Sequence, residues 1–159
     1  MKQYIGTKIV QAEPANRFWF GNGETLVVPD SEDTPNRVRE ATAGENGYKV
    51  VYPPDGYESW SPKDVFEATY RATDGMSFGL AIEAAKMGKK IARAGWNGKN
   101  QYVELASCIS YKNSAGDIVN VEHDAIGNKA LAFVGTSGVQ MGWLASQADM
   151  LADDWVIVE

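Results

Sequence analysis

Cysteine and histidine are almost missing from this sequence: its 159 residues hold one of each, Cys108 and His123. A single cysteine cannot close an internal disulfide and has no second thiolate for a zinc cluster. That excludes a disulfide scaffold and a zinc finger, and it fits a reducing compartment. One histidine and one cysteine leave only carboxylates to hold a metal, and no D-x-[DN]-x-[DN]-G calcium loop is present, so no metal site and no cofactor are expected. Long apolar runs are missing too. None approaches the roughly 18 residues of a membrane helix, and "MKQYIGTKIV" lacks the apolar core of a signal peptide, which points to the cytoplasm and to no membrane partner. Basic charge is scarce: 15 Lys and Arg stand against 21 Asp and Glu, a net charge of -6. That is the wrong sign for a polymeric nucleic-acid partner, whose phosphates need neutralising.

Several catalytic signatures are absent as well. No G-x-S-x-G elbow accompanies His123, which sits in the polar, turn-like "NVEHDAIGN" and reads as a surface histidine. "AGWNGKN" has Gly95 and Gly98 but neither phosphate-loop nor dinucleotide spacing. What remains for acid–base work is the carboxylate group Asp149, Asp153 and Asp154, the only basis for a hydrolase reading. A glycosidase-type pair must face one cleft about 5 to 10 Å apart, and near neighbours in sequence seldom do.

What is present suffices for a packed core, with 44% hydrophobic residues. Residues 1–75 read as a small β-rich unit with one helix. "QYIGTKIVQAEP" alternates Ile5, Thr7 and Ile9 as a strand would, and "YKVVYPPDGYESWSP" reads as two strands about the turn Pro54 to Gly56. Between them "PDSEDTPNRVREATAGENG" reads as a polar, mobile loop. In "SPKDVFEATYR", Ser61 is placed to cap a helix with Pro62 at its first position and Val65, Phe66 and Tyr70 on its buried face.

The pattern restarts after "ATDG", so residues 76–159 form a second domain. Ser77 can cap a helix with a Phe78, Ala81, Ile82, Ala85 stripe, ended by Gly88. Strand candidates follow in "KIARAG", "QYVELAS", "DIVNVE", "KALAFVG" and "WVIVE". One helix followed by short strands indicates an α+β domain with a mainly antiparallel sheet.

Two stretches carry the chemistry. "GKKIARAGWNGK" gathers Lys89, Lys90, Arg93 and Lys99 with no acid among them, a patch suited to a small anion. "WLASQADMLADDW" holds Ser146 and Asp149 at capping-box spacing, with Met150 and Leu151 as buried positions and Trp155 opening the last strand. The cap explains Ser146 and Asp149 without a ligand, but not Trp143, Gln147 or the Trp96 that lies between a cation and an amide. Aromatic, guanidinium, amide and carboxylate groups together suit a nucleotide-like ligand, as stacking faces, phosphate partner and acceptors.

From Met76 onward, "MSFGLAIEAAKMGKKIARAGWNGK" and "GWLASQADMLADDWVIVE" resemble the Thoeris anti-defence type two family of phage proteins. The resemblance covers about half the chain. It implies a non-enzymatic sponge that binds a cyclic ADP-ribose isomer, or a cyclic dinucleotide of CBASS signalling, in the cytoplasm of a bacterial host. It also implies a homo-oligomer, typically a tetramer, with pockets where protomers meet. The implied ligand-binding residues are Arg93, Trp96 and Asn97 in the first motif and Trp143, Ser146, Gln147 and Asp149 in the second. Segment 106–142 is the variable part, so ligand choice does not carry over, and residues 1–75 have no counterpart in compact members. A phage structural or protein-binding module is the third reading beside sponge and cyclic-nucleotide hydrolase.

Overall fold

A turn at residues 53–56 joins β3 (Ala43–Tyr52) to β4 (Tyr57–Pro62), where Gly56 adopts a φ of 67° and its N–H donates to the Tyr52 carbonyl at 3.0 Å. The computed structural model describes residues 1–3, 5–96 and 100–159, and these form two compact units, Met1–Arg71 and Ala72–Glu159. In the first unit β1 (Gln11–Trp19) and β2 (Thr25–Pro29) complete an antiparallel sheet of order β2-β1-β3-β4. Helix α1 (Lys63–Thr69) lies against it through Phe66, which stacks on Tyr48 at 4.2 Å and on Tyr70 at 4.8 Å between ring centroids.

The strand expected around Ile5 to Ile9 is not formed there. Ile5 is fully exposed, and the ladder begins at Gln11, because pairing with β3 and not local alternation selects the register. The polar stretch expected as a mobile loop contains a 3-10 helix at Asn36–Glu40 and the first residues of β3. Pro62 rather than Ser61 occupies the N-cap of α1, with no side-chain capping bond, and Val65 is exposed instead of buried. The sheet had already claimed Ser61 and Pro62 as the end of β4.

In the second unit α2 (Phe78–Lys86) forms from good helix formers and buries Ala81, Ala84 and Ala85. It stops at Gly88, whose φ of 84° lets its N–H reach Ala85 O (2.9 Å) while Lys89 N–H reaches Ala84 O (3.1 Å), a Schellman closure. Strands β5 (Lys90–Arg93), β6 (Tyr102–Ala106), β9 (Ala130–Gly135), β10 (Gly138–Met141) and β11 (Trp155–Val158) form a sheet of order β10-β9-β6-β5-β11, every pair antiparallel. β7 (Tyr111–Lys112) and β8 (Ile118–Val119) make a separate hairpin. The α+β class is therefore as the sequence indicates. Thr73 and Met76 bond to β11, so the second unit begins before α2. Its core joins Met76, the three helix alanines, Ile91, Val103 and Trp155. Met150 and Leu151, expected inside, are exposed, because the short α3 (Gln147–Met150) sits at the margin of this core. Among the described residues no helix is long and apolar enough to cross a membrane.

Gly47 is the tightest point of the first unit. A Cβ there would lie 2.2 Å from the Ser61 carbonyl oxygen and 2.6 Å from the Trp60 ring. Gly47→Ala is therefore expected to destabilise this unit by about 1–3 kcal/mol, the usual cost of overpacking. Urea unfolding followed at Trp60 would show the loss, and an unchanged midpoint would contradict it.

Candidate functional site

Strand pairing decides what surrounds Arg93. β5 and β11 run antiparallel with Arg93 opposite Trp155, and Ala94 N–H donates to Asp154 O at 3.0 Å, which brings Asp154 beside the guanidinium. Nε and Nη2 of Arg93 grip the two carboxylate oxygens of Asp154, the second at 3.2 Å. Nη1 donates to Asp149 Oδ1 at 3.1 Å and to the Ala148 carbonyl at 3.2 Å. The guanidinium expected to partner a ligand phosphate is thus, in the folded chain, held bidentately by an aspartate 61 residues away.

Asp149 is equally occupied. Its Oδ2 accepts from the Ser146 amide (3.0 Å) and hydroxyl (2.6 Å), and its own N–H donates back to Ser146 Oγ at 3.1 Å, the capping box expected from the spacing. The Ser146 hydroxyl, then the Ser146 amide and Arg93, hold the Asp149 carboxyl below the usual carboxylate range, against the opposing effect of burial. Arg93 does the same for Asp154, and Asp154 first, with Asp149, raises the pKa of Arg93. A hydrolytic pair needs one carboxyl that keeps its proton near neutrality. Asp149 and Asp154 are both drawn the other way, and Asp153 is exposed.

The aromatic half of the site forms beneath this network. Trp155 is fully buried, and its indole N–H donates to the Asp149 carbonyl at 2.9 Å. Trp96 and Trp143 pack edge-on against it at 5.5 and 6.2 Å and against each other at 6.1 Å, and Trp96 also meets Phe133 at 5.4 Å. Both are half-buried and so serve the core, with part of each ring left at the surface. Gln147 is exposed, and its side chain makes no hydrogen bond to another described residue. Asn97 lies outside the described residues. The structure therefore gathers Arg93, Ser146 and Asp149 into one network and Trp96 and Trp143 into one cluster. It adds Asp154 and Trp155, which the sequence reading did not place in the ligand site and which no local spacing could have joined to Arg93.

Two cavities are described. One of about 410 Å³ is lined by Gly44, Glu45, Asn46, Pro62, Lys63 and Asp64, and another of about 270 Å³ by residues of α2, β6 and β9 with Lys129. Neither is lined by any of the candidate residues. Among the described residues no three His, Cys, Asp or Glu side chains converge as a metal site would require.

Comparison with known proteins bears on this half of the chain. The model of the Tad2-like family, described as the Thoeris anti-defense 2-like domain, matches residues 76–158. The chain belongs to this family. It is also similar to Thoeris anti-defense 2 of Bacillus phage SP01, 38% identical over an 88-position alignment that covers 52% of this chain and 94% of the relative. Membership supports a phage anti-defence role, and a family of anti-defence proteins fits a chain that is not an enzyme.

The network generates a prediction with a defined pH dependence. Both aspartates titrate lower in the folded chain than the unperturbed value of about 3.9. Their contribution is therefore present above that value and lost as pH falls through the lower folded-state values. Arg93→Ala should lower the thermal midpoint at pH 7 and leave two carboxylates facing each other, with the gap to wild type closing towards pH 2. A gap that is constant across this range would show that the ion pairs contribute nothing. Ser146→Ala, which removes only the cap, should cost about 0.5–2 kcal/mol.

Proposed function

We propose that this protein sequesters a cyclic ADP-ribose type immune signal without cleaving it and so blocks Thoeris signalling, with cyclic dinucleotides of CBASS as a second ligand class. The observation that carries this reading is membership of the anti-defence family over the half of the chain that holds all seven candidate ligand residues. The geometry agrees with it in two ways. Half-buried indoles at Trp96 and Trp143 offer stacking surface, and the exposed amide of Gln147, unbonded among the described residues, offers donors and an acceptor. The carboxylates near them are locked as ionised acceptors on Arg93, which suits holding a ligand better than protonating one. Sequestration is stoichiometric, so affinity decides its success, and a Kd near 1 nM corresponds to about -12 kcal/mol.

We place the completion of this site at contacts between copies in a homo-oligomer, a tetramer by family resemblance. Supporting this, β10, the loop after it, α3 and its C-cap expose Val139, Met141, Leu144, Met150 and Leu151, apolar side chains that a second copy would cover. The site of action proposed is the cytoplasm of the infected bacterium.

Two measurements test the proposal. After incubation with cyclic ADP-ribose isomers and heat denaturation, the supernatant should contain intact ligand; a linear product would establish hydrolysis instead, and no binding to any cyclic nucleotide would favour a structural role. Gln147→Ala should leave stability within about 0.5 kcal/mol, as exposed sites do, while weakening binding by about tenfold, the loss of roughly one good hydrogen bond. Unchanged titration curves for that variant would remove Gln147 from the site.

A further inference from the structure

The first unit leaves part of its sheet unpaired. β3 runs for ten residues, but β4 pairs only with Gly47–Tyr52, so Ala43–Asn46 have β1 on one side and, among the described residues, no strand on the other. The row ends there because β4 closes on Pro62, which has no N–H to donate, and the chain turns into α1. A shallow, open surface slot lies along this gap, lined by Gly44, Glu45, Asn46, Pro62, Lys63 and Asp64. An open row of backbone donors and acceptors beside such a slot is a template for an added strand.

The same unit carries a strand without a sheet. Residues 5–10 alternate Ile5, Thr7 and Ile9, lie in no element, and leave Ile5 fully exposed. Residues 1–10 include Lys2 and Lys8 and no acid. The slot's charged side chains are Glu45 and Asp64 against the single Lys63, so the charges are complementary. We infer that Ile5–Ile9 of a second copy of this chain adds as a strand to Ala43–Asn46 of β3 and continues the row that β4 begins. This surface lies outside the ligand-binding half of the chain and does not depend on the ligand proposal.

Reach requires the second copy. Gln11 stands opposite Val51, seven residues along β3 from Gly44, a distance of about 24 Å at strand rise. Ile5 precedes Gln11 by six residues, which extend at most about 21 Å. Lys8, moreover, rests on the Tyr52 ring of its own chain, 5.1 Å from the centroid, at the opposite end of the sheet from the slot. A chain therefore cannot fill its own slot, whereas two copies can exchange segments reciprocally as isologous partners.

Disulfide trapping and hydrogen exchange test this on the full chain. In a Cys108→Ser background, Thr7→Cys protein is mixed with Glu45→Cys or Asn46→Cys protein, adjacent positions that face opposite sides of β3. Oxidation should give a covalent dimer with one of them at several times the yield obtained with Asp55→Cys, in the distant turn. Yields no higher than that control would overturn the inference. Amide exchange at residues 44–46 should be slow at high protein concentration, and about tenfold or more faster on dilution or on removal of residues 2–9. Residues 48–51, paired on both sides, report that the sheet stays folded. Protection of 44–46 that survives dilution or the deletion would mean another occupant, and no protection at any concentration would mean none.

Discussion

One hydrogen bond organises the second unit: the indole N–H of the fully buried Trp155 donates to the carbonyl of Asp149. A tryptophan withdrawn from water gains its large apolar surface, but its single donor must still be met or the burial loses much of its value. Removing such a ring from a core costs about 3–5 kcal/mol, a sizeable share of the 5–15 kcal/mol that stabilises a domain. That bond fixes the Asp149 carbonyl of α3 over the core. With α3 held, the carboxylate of Asp149 falls within reach of Arg93 on the neighbouring strand. Core, helix and surface charge are thus coupled through one residue.

The coupling changes what the charged residues can do. A free arginine beside a tryptophan is an anion site, but here three of the guanidinium's donors are committed to two carboxylates, and the cluster carries a net negative charge at neutral pH. Such a cluster presents acceptors to its surroundings. On the proposal of a nucleotide ligand, hydroxyl and amino groups would meet this cluster more favourably than phosphates would. The same commitment draws both carboxyls below the usual carboxylate range, away from the role of a general acid.

The two units use aromatic residues in different ways. In the second, three tryptophans meet edge to face around one buried member, so Trp96 and Trp143 contribute to stability and to any exposed stacking surface at once. In the first, Trp60 lies over Gly47, and Arg17 stands 5.1 and 5.4 Å from the rings of Trp19 and Trp60. There the glycine's missing side chain is what admits the ring, and the sheet, not a ligand, fixes the aromatic positions.

Local chemistry was legible in the sequence wherever neighbours along the chain decide the outcome. The capping box of Ser146 and Asp149 follows from their spacing, α2 from its alanine-rich stripe and closing glycine, and the turn after β3 from its Pro-Asp-Gly. The motifs at 88–99 and 143–155 also carried the family, because they are long and ordered. Other features were decided only by tertiary pairing. The strand at Ile5–Ile9 was displaced to Gln11–Trp19 by the ladder with β3, and β10 has a pattern too short to read. Met150 and Leu151 match a buried helical face in sequence yet lie outside, since α3 has only four residues, with its Asp149 carbonyl bonded to the buried Trp155. The pairing of Arg93 with Asp154 depends on β5 and β11 aligning across 61 residues, and a salt bridge between distant strands leaves no local period from which it could be inferred.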